Sequence, residues 1–342
     1  MVGRETTDRT DSADPRASVT KRVHMVPPSP ERDAPLGLQE VCPDGGEIHT
    51  TPVVLLHGAT FGSGMFDIDV PGYSMQNFLA GQGWRNFALD VRGYCRSVPS
   101  RTLDAPAEDH PPYARLQDGV EDLLEGIRLV RDLTGVEAVH LVAFSWGTVI
   151  ACAMAASQPQ LLERLVLYAP LYAEVNDLWI DRIADPEDRA RINPHLGAYR
   201  RVGEADIRTR WDADIPVCSD ASVYRDERVL HAIIDALAAA DPAASPDGEK
   251  SFRAPTGALV DLFEIFNGRP LYDPAAIMSP TLVIRGGDDT TSTASDADNL
   301  FEKLGGDENR LATITPGSHF LCAERNATRL FEDIGLFLRG HS

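Results

Sequence analysis

One serine stands in a setting that prepares it for nucleophilic chemistry. Ser145 follows the apolar, β-branched run Val139-His140-Leu141-Val142-Ala143-Phe144 and precedes Trp146-Gly147-Thr148 and a helix-compatible stretch from Val149 to Ser157. The pattern reads as strand, sharp turn and helix, with Ser145 at the apex. Such a turn brings strand and helix so close that the positions two before and two after the serine must be small. Ala143 and Gly147 meet that demand. The hydroxyl then stands above the sheet, and the amide of Trp146 can donate to an oxyanion.

A serine hydroxyl needs a base, and the base needs an orienting acid. There are nine histidines, so position has to choose among them. His319 lies in the turn Pro316-Gly317-Ser318-His319-Phe320, just after the last apolar strand pattern, where a parallel sheet carries its functional loops. It is the candidate base. His57 ends a different strand, before Gly58, and is expected to hold its loop rather than to catalyse. His140 falls inside the elbow strand and reads as a packed or hydrogen-bonded histidine, while His195 and His231 fall in an irregular middle segment where they could line a pocket, although a role outside the chemistry is favoured. The acid is sought in Gly286-Gly287-Asp288-Asp289-Thr290-Thr291. The spacing Gly-x-x-Asp favours Asp289, with Asp288 as the alternative.

These side chains need elements to position them. Pro52-Val53-Val54-Leu55-Leu56, Trp84 to Asp90, Leu165 to Pro170 and Thr281 to Gly286 read as strands buried on both faces. Helical patterns at Met75–Gly83, Leu116–Leu133, Ala294–Leu304 and Glu324–Leu338 alternate with them. Lys21–Val26 and Leu36–Val41 suit an opening hairpin, Leu311–Thr315 a last strand, and the proline-rich stretch from Val98 to Pro112 a surface loop. Alternating strands and helices predict an α/β fold with a mostly parallel central sheet flanked by helices. Between Leu171 and Ala276 the rhythm stops. About a hundred residues is too long for a structureless loop, so an inserted, mostly helical cap is expected, with helices at Ser222–Ala240 and Thr256–Phe266. The expected organisation is a disordered tail at 1–18, a core domain from 19–170 and 277–342, and a cap at 171–276.

Composition narrows the function. The 342 residues carry a formal net charge of −20, which repels nucleic acid and anionic membranes and leaves a small molecule as the expected partner. Five scattered cysteines show neither a disulfide framework nor metal-ligand spacing, so no metal and no cofactor are expected. No leader or membrane span is legible, and a cytoplasmic location is expected.

The chain resembles the α/β-hydrolase fold superfamily, in a capped form, from about Lys21 to Leu338. Four stretches carry the resemblance: Leu55-Leu56-His57-Gly58-Ala59, Asp90-Val91-Arg92-Gly93-Tyr94-Cys95-Arg96-Ser97, Ala143-Phe144-Ser145-Trp146-Gly147, and Gly286-Gly287-Asp288-Asp289 with Gly317-Ser318-His319. The order nucleophile, acid, histidine is that family's order. The resemblance implies Ser145 as nucleophile, Asp289 as acid and His319 as base. It implies the backbone amides of Trp146 and Ala59 as the oxyanion hole, with Thr60 a less favoured donor. Ala143 and Cys95 depart from the family pattern, since glycine is common at both places. A serine hydrolase acting on a carboxylic ester, thioester or lactone of a medium-sized, largely apolar molecule is the expectation. The alternatives are an acyltransferase, perhydrolase or lyase using the same triad, or a non-catalytic ligand-binding protein. Phe61, Met65, Tyr94 and Phe320, with Phe66 and Trp146 near them, are the candidate apolar pocket, although such residues also suit a core.

Overall fold

The computed structural model describes residues 18–98, 100–241, 243 and 248–340. The expected tail therefore lies outside the described residues, apart from Ser18. Eight strands form one sheet: β1 (Val19–Val26), β2 (Leu36–Pro43), β3 (Val53–Leu56), β4 (Asn86–Asp90), β5 (Val139–Phe144), β6 (Leu162–Tyr168), and the later Thr281–Gly286 and Arg310–Ile314. The spatial order is β1-β2-β4-β3-β5-β6, followed by the last two. β1 pairs antiparallel with β2, and β2 with β4. Every other pairing in this sheet is parallel. This is the mostly parallel α/β sheet that the alternating pattern predicts.

Alternation along each strand feeds two cores. Val54 and Leu56 of β3, Leu141 and Ala143 of β5, and Leu165 and Leu167 of β6 enter one apolar cluster. Val53, Leu55, Val142, Phe144, Val166 and Tyr168 enter the other. Period-2 side-chain alternation explains why these strands read as continuous apolar runs.

Helices cover both faces: α1 (Met75–Gly81), the single turn α2 (Arg101–Asp104), α3 (Leu116–Thr134) and α4 (Trp146–Ser157). α1 is capped by the Ser74 hydroxyl accepting from the Asn77 amide, and α3 stops where Gly135 takes a left-handed conformation, φ 75°. The stretch expected as a surface loop before α3 is partly folded, with Leu103 of α2 buried.

Between β6 and the next strand of the main sheet, the chain adds α5 (Asp177–Ile183), β7 (Ala184–Asp185), β8 (Asp188–Ile192), β9 (Tyr199–Gly203), α6 (Glu204–Asp214), α7 (Ala221–Tyr224), α8 (Glu227–Ala240), β10 (Ser251–Pro255) and α9 (Gly257–Phe266). None of their strands joins the main sheet; β7 pairs with β8, and β9 with β10. The helical expectation does not include these short strands. It also runs α7 and α8 together, whereas Asp226 accepts from the Arg228 amide and starts α8 afresh. The segment is continuous with the core, because Ile207, Trp211, Leu230, Ile233 and Phe252 share a cluster with Phe61, Met65 and Phe320. The chain closes with β11 (Thr281–Gly286), α10 (Ala294–Lys303), β12 (Arg310–Ile314) and α11 (Ala327–Leu338). Among the described residues no helix is long and apolar enough to cross a membrane.

Candidate active site

Strand order reverses between β3 and β5, and the loops leaving their carboxyl ends meet there. Ser145 leaves β5 with φ 56° and ψ −124°, a strained conformation for a residue with a side chain. Its amide donates to the Tyr168 carbonyl at 3.0 Å, and the Thr148 hydroxyl donates to the Ser145 carbonyl at 2.6 Å. A Cβ on Gly147 would overlap the backbone carbonyls of His57 and Leu56, so only glycine fits beside β3. Ala143, within β5, has room for its methyl group and is fully buried.

His319 comes from the loop after β12. Its Nε2 lies 2.9 Å from Ser145 Oγ, and its Nδ1 lies 2.9 Å from Asp289 Oδ2. With Nδ1–H donating to the carboxylate, Nε2 is left as acceptor for the serine hydroxyl. All three residues are buried. The other oxygen of Asp289 accepts from the amides of Thr291 and Ser292, both at 2.8 Å, which fixes the carboxylate in the turn after β11. Asp288 is engaged elsewhere, accepting from the Tyr224 hydroxyl at 2.9 Å and the Gly317 amide at 3.1 Å. The structure thus brings Asp289, not its neighbour, to His319.

The loop after β3 lies against the serine: a Cβ on Gly58 would stand 2.9 Å from Ser145 Cβ. His57 holds this loop by donating from Nδ1 to the Gly58 carbonyl at 2.8 Å and accepting the Val91 amide on Nε2 at 3.0 Å. Burial lowers its pKa, which suits a neutral ring with one donor and one acceptor. Tyr94 donates to the Ala59 carbonyl at 2.8 Å. Trp146 opens α4, so its amide has no intrahelical acceptor. Its indole donates to Asp261 at 3.1 Å. Cys95 adopts φ 37°, the left-handed region that favours glycine, which accounts for glycine being common at this turn.

The candidate pocket residues divide. Tyr94 borders a narrow cleft with Thr60, Cys95, Leu237 and Phe252. Phe61, Met65 and Phe320 are buried in aromatic packing, Phe61 edge-on to Phe320 at 5.8 Å and Phe320 stacked on Trp211 at 4.7 Å. His140 is buried edge-on to Trp84 at 5.3 Å, whereas His195 and His231 are exposed.

Two buried acids near the site have no local signature in the sequence. Asp214, at the end of α6, accepts the His319 amide at 3.1 Å and the Thr290 hydroxyl. Glu324 accepts the Ser318 amide and hydroxyl and the Trp211 indole, the last at 2.8 Å. Burial raises the pKa of both carboxyl groups. Asp214 lies 105 residues from His319, so only folding pairs them.

The alpha/beta hydrolase fold model matches residues 51–325. This chain belongs to that family. Solved structures agree at low identity. A thermophilic esterase from Thermogutta terrifontis superposes with a TM-score of 0.61 at 17% identity, covering 99% of this chain and 100% of the other. A monoacylglycerol lipase from Paleococcus ferrophilus gives 0.57 at 16%, covering 90% and 99%. The enol-lactonase from Burkholderia xenovorans LB400 gives 0.57 at 16%, covering 90% and 97%. No curated protein matches the chain in sequence. Membership supports a hydrolase.

Proposed function

We propose that this hydrolase cleaves a carboxylic ester, thioester or lactone through an acyl-enzyme on Ser145. The observation that carries the reading is the unbroken relay from Ser145 Oγ to His319 to Asp289, with 2.9 Å at each step. In the first half-reaction Ser145 Oγ attacks the carbonyl carbon while His319 Nε2 takes the hydroxyl proton. The amides of Trp146 and Ala59 receive the oxyanion. His319 returns the proton to the leaving alcohol or thiol, and the acyl group stays on Ser145. Water then attacks the acyl-enzyme with its proton passing to His319, and collapse frees the acid and restores the serine. Asp289 keeps the ring in one tautomer and stabilises the imidazolium.

The segment 171–276 serves as a cap, and Tyr94, Leu237 and Phe252, which border the cleft beside Thr60, supply apolar surface for a medium-sized substrate. Fluorophosphonate labelling followed by mass spectrometry tests the reading. The adduct is expected on Ser145, absent in Ser145→Ala, and formed about 10²- to 10⁴-fold more slowly in His319→Ala. A folded protein that neither labels nor turns over any ester, thioester or lactone would overturn it. Release of free acid with water as the sole acceptor distinguishes hydrolysis from acyl transfer.

A further inference from the structure

Among the described residues, the buried arginines either face carboxylates or, as Arg32 and Arg285 do, donate to backbone carbonyls. Arg92 meets Asp118 and Asp122, Arg225 meets Asp212 and Glu227, and Arg253 meets Asp241. Arg200 of β9 and Arg210 of α6 do neither. Among the described residues each has one hydrogen-bond acceptor, and it is the same one: Thr60 Oγ1, at 2.9 Å from Arg200 Nη2 and 3.1 Å from Arg210 Nη1. The Nε atoms of both are buried and unpartnered. Arg210 lies over the rings of Trp179 and Phe320, 4.9 and 5.6 Å from their centroids.

Among the described residues no carboxylate is in contact with either guanidinium group. The carboxylates whose charge reaches Arg210 are Asp214 and Asp289, both occupied by His319 and its neighbouring loop. Asp206, near Arg200, caps its own helix through the Gly203 amide. Two cations sharing one neutral hydroxyl, with buried donors left over, is a costly arrangement for a folded protein to maintain. Its location is specific. Thr60 follows Ala59 in the loop against Ser145, and Phe320 follows His319.

We propose that Arg200, Arg210 and Thr60 form an anion subsite beside Ser145, and that the substrate is an apolar ester, thioester or lactone bearing a carboxylate. Guanidinium forks bind a carboxylate through two parallel donors, and the stacked faces of Trp179 and Phe320 hold one fork in place. The assignment rests on the acyl-enzyme reading for placing the substrate at Ser145, but its test does not require turnover.

Binding of hexanoate, hexanamide and hexyl phosphate to the Ser145→Ala protein by calorimetry provides that test. Hexanoate is expected to bind at least about tenfold tighter than hexanamide, the scale of a charge-assisted hydrogen bond. The preference should disappear when Arg200→Met or Arg210→Met is added. Each added replacement is expected to leave the thermal midpoint at or above that of Ser145→Ala, because it removes an uncompensated charge. Equal binding of acid and amide, a preference that survives both replacements, or a midpoint lowered by them would overturn the subsite. Tighter binding of hexyl phosphate would overturn the carboxylate. Failed labelling of the parent with the anion preference intact would remove the acyl-enzyme reading alone.

Discussion

At the scale of single residues, two adjacent aspartates have different work. Asp289 reaches His319 and has its second oxygen held by two amides, whereas Asp288 joins Tyr224 to the Gly317 amide. Asp289→Asn is expected to lower kcat for a turned-over ester by about 10⁴-fold, because an amide in that place favours the wrong imidazole tautomer. Asp288→Asn should change kcat only a few-fold and act mainly on thermal stability. Steady-state kinetics on the pair checks this, and equal losses would contradict the assignment. The sequence brought the choice down to these two positions through their spacing from Gly286. It favoured Asp289 through the Gly-x-x-Asp spacing, but the contact itself depends on how the turn after β11 faces the loop after β12.

At the scale of elements, the junction of β5 and α4 depends on close approach to β3. The carbonyls of His57 and Leu56 occupy the space that a side chain on residue 147 would need. Backbone cannot yield as a flexible side chain can, so Gly147→Ala is expected to destabilise the fold by about 3 kcal/mol, near the upper end of typical overpacking costs. Ala143→Gly should cost about 1 kcal/mol through strand entropy and leave the turn intact. Urea denaturation of both variants measures the difference. The small-x-Ser-x-small spacing was readable in advance because the constraint is local. The strands β7 to β10 were not, because they are short and pair only with one another, leaving little periodicity for a pattern to show.

At the scale of the whole molecule, burial couples stability to pH. His140 sits in β5 beneath Trp84, and burial, with Arg164 and His49 nearby, lowers its pKa to about 4. The unfolded chain binds this proton near pH 6.5, so folding stability from this group is complete above about pH 6.5 and is lost as pH falls towards about 4. The loss is about 3 kcal/mol at one pKa unit per 1.36 kcal/mol. His140→Leu is expected to lose that much less stability over the same interval, measured by chemical denaturation at a series of pH values. An unchanged slope would place the titration elsewhere.

The sequence by itself determined the alternating βα order, the apex serine and the late histidine, because side-chain period and local steric demand are written in neighbouring residues. Only the tertiary structure showed that Asp289, favoured by its spacing, meets His319 while Asp288 is engaged elsewhere, that Asp214 braces the histidine's backbone, and that Arg200 and Arg210 converge on Thr60. Those contacts join residues 30 to 150 positions apart. No spacing rule connects them: the first is set by how the turn after β11 faces the loop after β12, and the others by how the segment between β6 and β11 folds back over the sheet.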